Sequence, residues 1–320
     1  MKEKQPNNII NLTCENHIAK AMRTIQAGGL VAFPTETVYG LGADATNDDA
    51  VASIFDVKNR PYFNPLIIHF SDLSSIAATV KLNEKAKKLA SAFWPGALTM
   101  VLPRKKNSPV SLLTSAGLDT LAVRIPNHPT AIALIRAAMT PIAAPSANCS
   151  GEVSPSAAEH VWLSLGNKVD MILDGGPCKV GVESTVIDLT SSNPTLLRPG
   201  GIIVEDLEKI IGPVTLSDGS KSVIRSPGMM DRHYAPSIPL RLNATKAYSG
   251  EVFLAFGSKA KTHHANLSHR GDLKEAAANL FAMLRMLDQP DHKGIAVMEI
   301  PSVGLGAAIN DRLKRAATPP

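Results

Sequence analysis

The 320-residue chain is poor in cysteine, in aromatic side chains and in long apolar runs, and each shortage removes a class of protein. Its three cysteines, Cys14, Cys149 and Cys178, are too few and too scattered for a disulfide framework or a Cys-x-x-Cys metal site. Aromatics make up 4%, which leaves little with which to build a base-stacking platform for nucleic acid. No apolar run reaches the roughly 18 residues of a membrane span, because Arg136 interrupts the longest candidate. The opening MKEKQPNNII lacks an apolar core of signal-peptide length and carries Glu3 and Pro6, so the expected address is the cytoplasm. A Walker-type phosphate loop, G-x-x-x-x-G-K-[ST], does not occur.

What is present suits a globular protein: 44% hydrophobic and 19% charged residues, with 23 prolines and 22 glycines spread along the length. The net charge of +5 is unevenly divided. Residues 1–215 carry 19 basic and 19 acidic side chains, whereas residues 239–320 carry 11 and 7. The first two-thirds are neutral in bulk, so any anion site there must come from placed residues.

Helical spacing from Asn16, a buried strand at Leu30–Phe33, a helix over Asp48–Val57 behind the cap Asn47, and a strand at Leu66–Phe70 open an interleaved pattern. A helix from the cap Asn83 to Trp94 follows, then strands near 98–102, 121–125, 142–144, 171–173, 186–189 and 195–197, with helices over 130–139 and 156–165. Such alternation predicts an α/β fold with some α+β character and a sheet of mixed direction. After Ile211 the texture changes to scattered glycine and proline without a core element, and beyond it two strands and two helices predict a small second α/β unit. The expected division is a catalytic unit over 1–213, a linker over 214–238 and a C-terminal unit over 239–320. Gly40–Ala45 matches G-x-G-x-x-A but starts well past the end of its strand, so it is expected to be a turn and not a dinucleotide loop.

Four polar clusters stand at strand ends. Pro34-Thr35-Glu36-Thr37 offers hydroxyls and a carboxylate ahead of two glycines. Lys58-Asn59-Arg60-Pro61, braced by proline, can aim two cations at one polyanion, although a solvated basic loop has the same composition. Pro145-Ser146-Ala147-Asn148 precedes Ser154 and a helix start, and Gly181-Val182-Glu183-Ser184-Thr185 precedes Arg198-Pro199-Gly200-Gly201. A serine nucleophile is disfavoured, since no G-x-S-x-G surrounds Ser146. His69 fits a core histidine as well as a ligand, and Arg124, inside an apolar strand, requires an anionic partner.

The order of these clusters, with Phe93-Trp94-Pro95-Gly96-Ala97-Leu98-Thr99 between them, resembles the YrdC-like domain. The whole chain resembles the two-domain L-threonylcarbamoyladenylate synthases, through the linker Ser226–Pro236 and the ending Gly304-Leu305-Gly306 to Ala317. Tyr62-Phe63 is bulkier than the small or polar pair expected in that family. The resemblance implies a YrdC-like twisted mixed sheet with flanking helices plus a small Rossmann-like C-terminal domain. It implies a nucleotidyltransferase that forms threonylcarbamoyl-AMP and pyrophosphate from L-threonine, bicarbonate and ATP, with Mg2+ on the nucleotide. The product would pass to the tRNA threonylcarbamoyl transferase machinery; direct contact with tRNA stays open. Lys58 and Arg60 would be catalytic. With Asn64, Thr120, Ser146, Asn148, Ser154, Arg198 and Tyr234 they would bind ATP, while Thr37, His69, Arg124, Ala144 and Ser184 would bind threonine. Two alternatives have their own signatures: a hydrogenase-maturation factor needs paired Cys-x-x-Cys modules, which are missing, and a non-catalytic double-stranded RNA binder needs a basic surface.

Overall fold

The computed structural model describes residues 9–11, 16–217, 228, 230–260 and 262–319; Cys14, Ser226, Pro227 and Met229 lie outside the described residues. Among the described residues, eleven strands form the large sheet: β1 (Ile9–Asn11), β2 (Val31–Phe33), β3 (Gly40–Asp44), β4 (Ile67–His69), β5 (Leu98–Pro103), β6 (Thr120–Arg124), β7 (Ile142–Ala143), β8 (Met171–Asp174), β9 (Thr185–Asp188), β10 (Thr195–Arg198) and β11 (Thr215–Leu216). Their spatial order is β1-β8-β2-β3-β7-β4-β6-β5-β9-β10-β11. The directions are mixed: β4 runs parallel to β6, while β2 with β3, β3 with β7 and β5 with β6 are antiparallel.

Among the described residues, seven helices accompany this sheet: α1 (Asn16–Gln26), α2 (Asp48–Lys58), α3 (Leu73–Thr79), α4 (Glu84–Phe93), α5 (Pro129–Ala138), α6 (Ala158–Leu165) and α7 (Val204–Ile211). Alternation along β2 separates two cores, because successive side chains of a strand point to opposite faces. Val31 and Phe33 join Ile25 of α1 and Leu134 and Ile135 of α5, whereas Ala32 joins Val51, Ile54 and Phe55 of α2.

One reading needs correction. Gly40–Ala45, expected to be a turn, contains β3, paired with β2 from Gly40 opposite Phe33 to Gly42 opposite Val31. A Cβ on Gly42 would stand 2.7 Å from the Phe33 ring and 2.9 Å from Ile142, so glycine is what lets β3 lie between them. The stretch after Ile211, expected to carry no core element, contributes the exposed two-residue edge strand β11.

The small unit has four parallel strands, β12 (Leu240–Arg241), β13 (Glu251–Ala255), β14 (Ala265–Asn266) and β15 (Gly294–Val297), in the order β12-β15-β13-β14. Helices α8 (Leu273–Leu287) and α9 (Leu305–Ala316) cover it. Its core does not stop at its own border. Val38, Val153 and Val182 of the large unit and Tyr234 of the linker pack in the same cluster as Leu280, Phe281 and Leu284. Gly181 (φ +73°) lies so close to α8 that a Cβ would fall 2.4 Å from the Ala277 carbonyl oxygen.

Candidate active site

The site forms where loops leave the strand ends. After β2, Thr35 Oγ1 donates to the Val38 carbonyl (2.6 Å) and accepts from the Thr37 and Val38 N–H groups (3.2 Å each). This hydroxyl-closed turn presents Thr37 inward. Backbone bonds from Leu41 N to Pro145 O (2.8 Å) and from Ala147 N to Tyr39 O (2.9 Å) then join that loop to Pro145–Asn148.

Arg124 ends β6 directly beside His69, the last residue of β4. Its Nη1 donates to Thr37 Oγ1 (3.0 Å) and its Nε to the Gly96 carbonyl (3.2 Å). Nη2 stands 2.7 Å from Glu36 Oε1, an ion pair in which neither Glu36 oxygen receives a hydrogen bond. The anionic partner required by a charge in an apolar strand is therefore Glu36. His69 is buried, edge-on to Phe33 at 6.2 Å. Burial, with Arg124 adding to it, pushes its pKa down to about 3, so the ring is neutral near pH 7.

Helix α2 sets the cations opposite. Asn47 caps its start by accepting from Ala50 N, and Asp48 and Asp49 favour the first turn. Asn59 closes it in the left-handed region (φ 49°), a conformation asparagine tolerates better than most, and so turns the chain just ahead of Arg60. Lys58 Nζ donates to the carbonyls of Ser146 (2.6 Å) and Asn148. Arg60 donates through Nε to Asn64 O (3.0 Å) and through Nη2 to Pro65 O (2.7 Å). Burial first, and the neighbouring Arg60 second, lowers the Lys58 pKa to about 7. The bulk of Tyr62-Phe63 lies outside: both are exposed, and Tyr62 stacks on Phe55 at 4.9 Å.

On the third side, Arg198 donates to the Ser184 carbonyl through Nε (3.2 Å) and Nη2 (2.8 Å), and Ser184 Oγ lies 2.8 Å from Thr99 Oγ1. Glu183 is buried; it accepts from Ser154 Oγ (2.8 Å) and pairs with Arg312 of α9 (2.7 Å). Burial alone would raise its pKa, but Arg312 and Arg198 outweigh burial and hold it low.

Of the residues expected in the site, Thr37, Arg60, His69, Arg124, Ala144, Ser146, Ser184 and Arg198 line one cavity of about 40 Å3. Lys58, Asn64 and Asn148 stand directly behind it, and Ser154 reaches it through Glu183. Thr120 begins β6 four residues before Arg124, about 13 Å away at the rise of an extended strand. Tyr234 is buried in the small unit's core, its ring against Phe281 at 5.7 Å, while the preceding His233 lines the cavity. Glu183 and His233 belong to clusters legible in the sequence, yet their places in the wall depend on partners far along the chain.

Residues 23–200 match the family described as Telomere recombination, and residues 202–318 match that described as Threonylcarbamoyl-AMP synthase, C-terminal domain. A Bacillus subtilis (strain 168) protein named threonylcarbamoyl-AMP synthase is 43% identical, over 95% of this chain and 94% of its own. A protein of the same name from Pyrococcus abyssi (strain GE5 / Orsay) is 43% identical, over 92% of each chain. The crystal structure of P. abyssi Sua5 complexed with L-threonine matches with a TM-score of 0.90 and 41% identity, covering 97% of both chains.

Proposed function

The chain belongs to the threonylcarbamoyl-AMP synthase family, and from that premise we propose how its residues share the reaction. It is an ATP-using transferase that makes threonylcarbamoyl-AMP. The observation that carries the division of labour is the cavity wall itself: a carboxylate-paired Arg124 beside a neutral histidine on one side, Arg60 and Arg198 held by backbone carbonyls on the other.

Threonine sits on the first side. Arg124 meets its carboxylate, Thr37 and Ser184 offer hydroxyls, and His69 and Ala144 fit the remainder. ATP sits on the second, with Arg60, Arg198, Asn64, Ser146 and Ser154 around it, Lys58 and Asn148 behind the phosphates, and Thr120 and Tyr234 beyond. The threonine amine takes up the carbon of bicarbonate and loses a proton, water departs, and a carbamate results. A carbamate oxygen then attacks the α-phosphorus as the bond to the β-phosphate oxygen breaks, and pyrophosphate leaves. Positioning and charge stabilisation suffice for this, so no covalent enzyme nucleophile is required. Lys58 and Arg60 stabilise the charge that grows on the phosphoryl oxygens. Mg2+ would be carried by the triphosphate, where it would screen charge.

The catalytic unit is residues 1–213, the linker 214–238 and the C-terminal unit 239–320. The adenylate passes to the tRNA threonylcarbamoyl transferase machinery. Pyrophosphate release from ATP should require both threonine and bicarbonate; release indifferent to threonine would sink this reading.

A further inference from the structure

We propose that Arg312, on α9 of the small unit, is a positioning residue of the active site: by holding the Glu183 carboxylate it keeps that carboxylate from drawing Arg198 away from the nucleotide. The proposal rests on the reading of this cavity as the ATP site. Arg312 is fully buried, and its fork spans two units of the molecule. Nε donates to Glu183 Oε2 (2.7 Å), while Nη1 donates to the Pro199 carbonyl (2.9 Å) and to Asp311 (2.6 Å). Glu183 Oε1 is occupied by Ser154 Oγ (2.8 Å), so both carboxylate oxygens are engaged. Glu183 and Arg198 line the same cavity, and each bears electrostatically on the other.

A carboxylate in the wall of a triphosphate site acts against its ligand in two ways. It repels the incoming anion, and it competes with that anion for the nearest guanidinium. Arg312, which is not among the residues lining the cavity, offsets both effects by pairing with the carboxylate. Docking alone does not call for this arrangement. The two units already meet through Val38, Val153 and Val182 packed with the core behind α8, and a buried ion pair is a weak source of stability compared with apolar packing. The position of Arg312 is fixed in turn by α9: Arg315 Nη1 donates to Met230 O (2.6 Å), and the Arg315 carbonyl accepts from His233 N (3.3 Å). The small unit thus supplies a side chain to the site's charge balance as well as a platform for the linker.

The test uses full-length protein and three variants, Arg312→Met, Arg312→Lys and Arg312→Met with Glu183→Gln, titrated calorimetrically with Mg-ATP and separately with threonine. A glutamine at 183 can still accept from Ser154, so the double variant removes the charge and keeps the bond. Arg312→Met should weaken ATP at least about tenfold, the scale of one lost charged hydrogen bond, and leave threonine within about twofold. Arg312→Lys keeps the charge without the fork and should fall between wild type and Arg312→Met, which keeps the test alive if the methionine protein does not fold. The decisive arm is the double variant, which should recover ATP affinity to within about threefold of wild type, a coupling that mere domain glue does not produce. Unchanged ATP affinity in Arg312→Met and Arg312→Lys, or a double variant as weak as Arg312→Met, overturns the proposal. Wild-type protein that binds no ATP overturns instead the reading of the cavity on which it rests.

Discussion

On the side of the cavity proposed for threonine the cation meets a carboxylate, Arg124 with Glu36 at 2.7 Å. On the side proposed for the nucleotide, Lys58, Arg60 and Arg198 donate to backbone carbonyls of Ser146, Asn64, Pro65 and Ser184. A carbonyl is a dipole: it fixes the direction of a cation and leaves its charge intact, whereas a carboxylate cancels it. One wall is therefore nearly neutral, which suits an amino acid that carries both signs. The other, through Arg60, keeps positive charge for a polyanion. The carboxylate on that side, Glu183, is turned over to Arg312.

The largest expected effect tests the neutral wall. Arg124→Met strips Glu36 of its counter-charge while both its oxygens lack hydrogen-bond donors, and a stranded buried charge costs about 3–5 kcal/mol. Urea unfolding should show that loss, and adding Glu36→Gln should restore most of it; a loss under about 1 kcal/mol, the scale of an exposed pair, would break the comparison. Arg60→Ala should behave differently, because no anion is stranded. Its cost should appear in ATP binding, about 1.5–3 kcal/mol for a charge-assisted hydrogen bond, with threonine affinity unmoved. Substrate choice sharpens the neutral wall further: serine lacks one methyl, and its kcat/KM should fall below that of threonine by roughly 1–3 kcal/mol.

The smallest effect concerns protons. The Lys58 pKa, about 7 when folded against an ordinary 10.5, lies below its unfolded value. Its charge is lost as pH rises through about 7, so ATP affinity should decline between about pH 6 and pH 8, by up to about tenfold, and Lys58→Met should flatten the decline. The stability sign is opposite. Between about 7 and 10.5 the unfolded chain holds the extra proton, so this group makes folding more favourable as pH rises across that window. A Lys58→Met profile as steep as wild type would remove Lys58 from the charged wall.

Helix α2 shows what was legible in the sequence: Asn47, two aspartates and a left-handed Asn59 are local signals, and they fix where Lys58 and Arg60 stand. β3 shows the opposite case. Its glycines read as a turn because a strand buried on both faces shows no alternation, and the need for glycine at 42 comes from Phe33 and Ile142, which only the folded sheet brings near. The site divides along the same line. Arg124 announced that it needed an anion, but the partner, 88 residues earlier by number, could not be told from any other acidic residue. The role of Arg312 was harder still to see, since its partner Glu183 lies 129 residues away in the other unit.

The small cavity also bears on how tightly ATP is captured. A volume of about 40 Å3 is room for roughly three waters, far below the roughly 300–1,000 Å3 of an ordinary ligand site. With His233 in the wall, admitting ATP requires that wall to move, and the measured affinity is then the intrinsic one multiplied by the open fraction. If one molecule in about a hundred is open, ATP binds about a hundredfold more weakly than its contacts allow, a penalty of about 2.7 kcal/mol. Variants that favour the open form would lift that penalty and capture ATP more readily. They would also let the adenylate escape or meet water sooner, so tightness of capture and retention of product pull in opposite directions on the same stretch of linker.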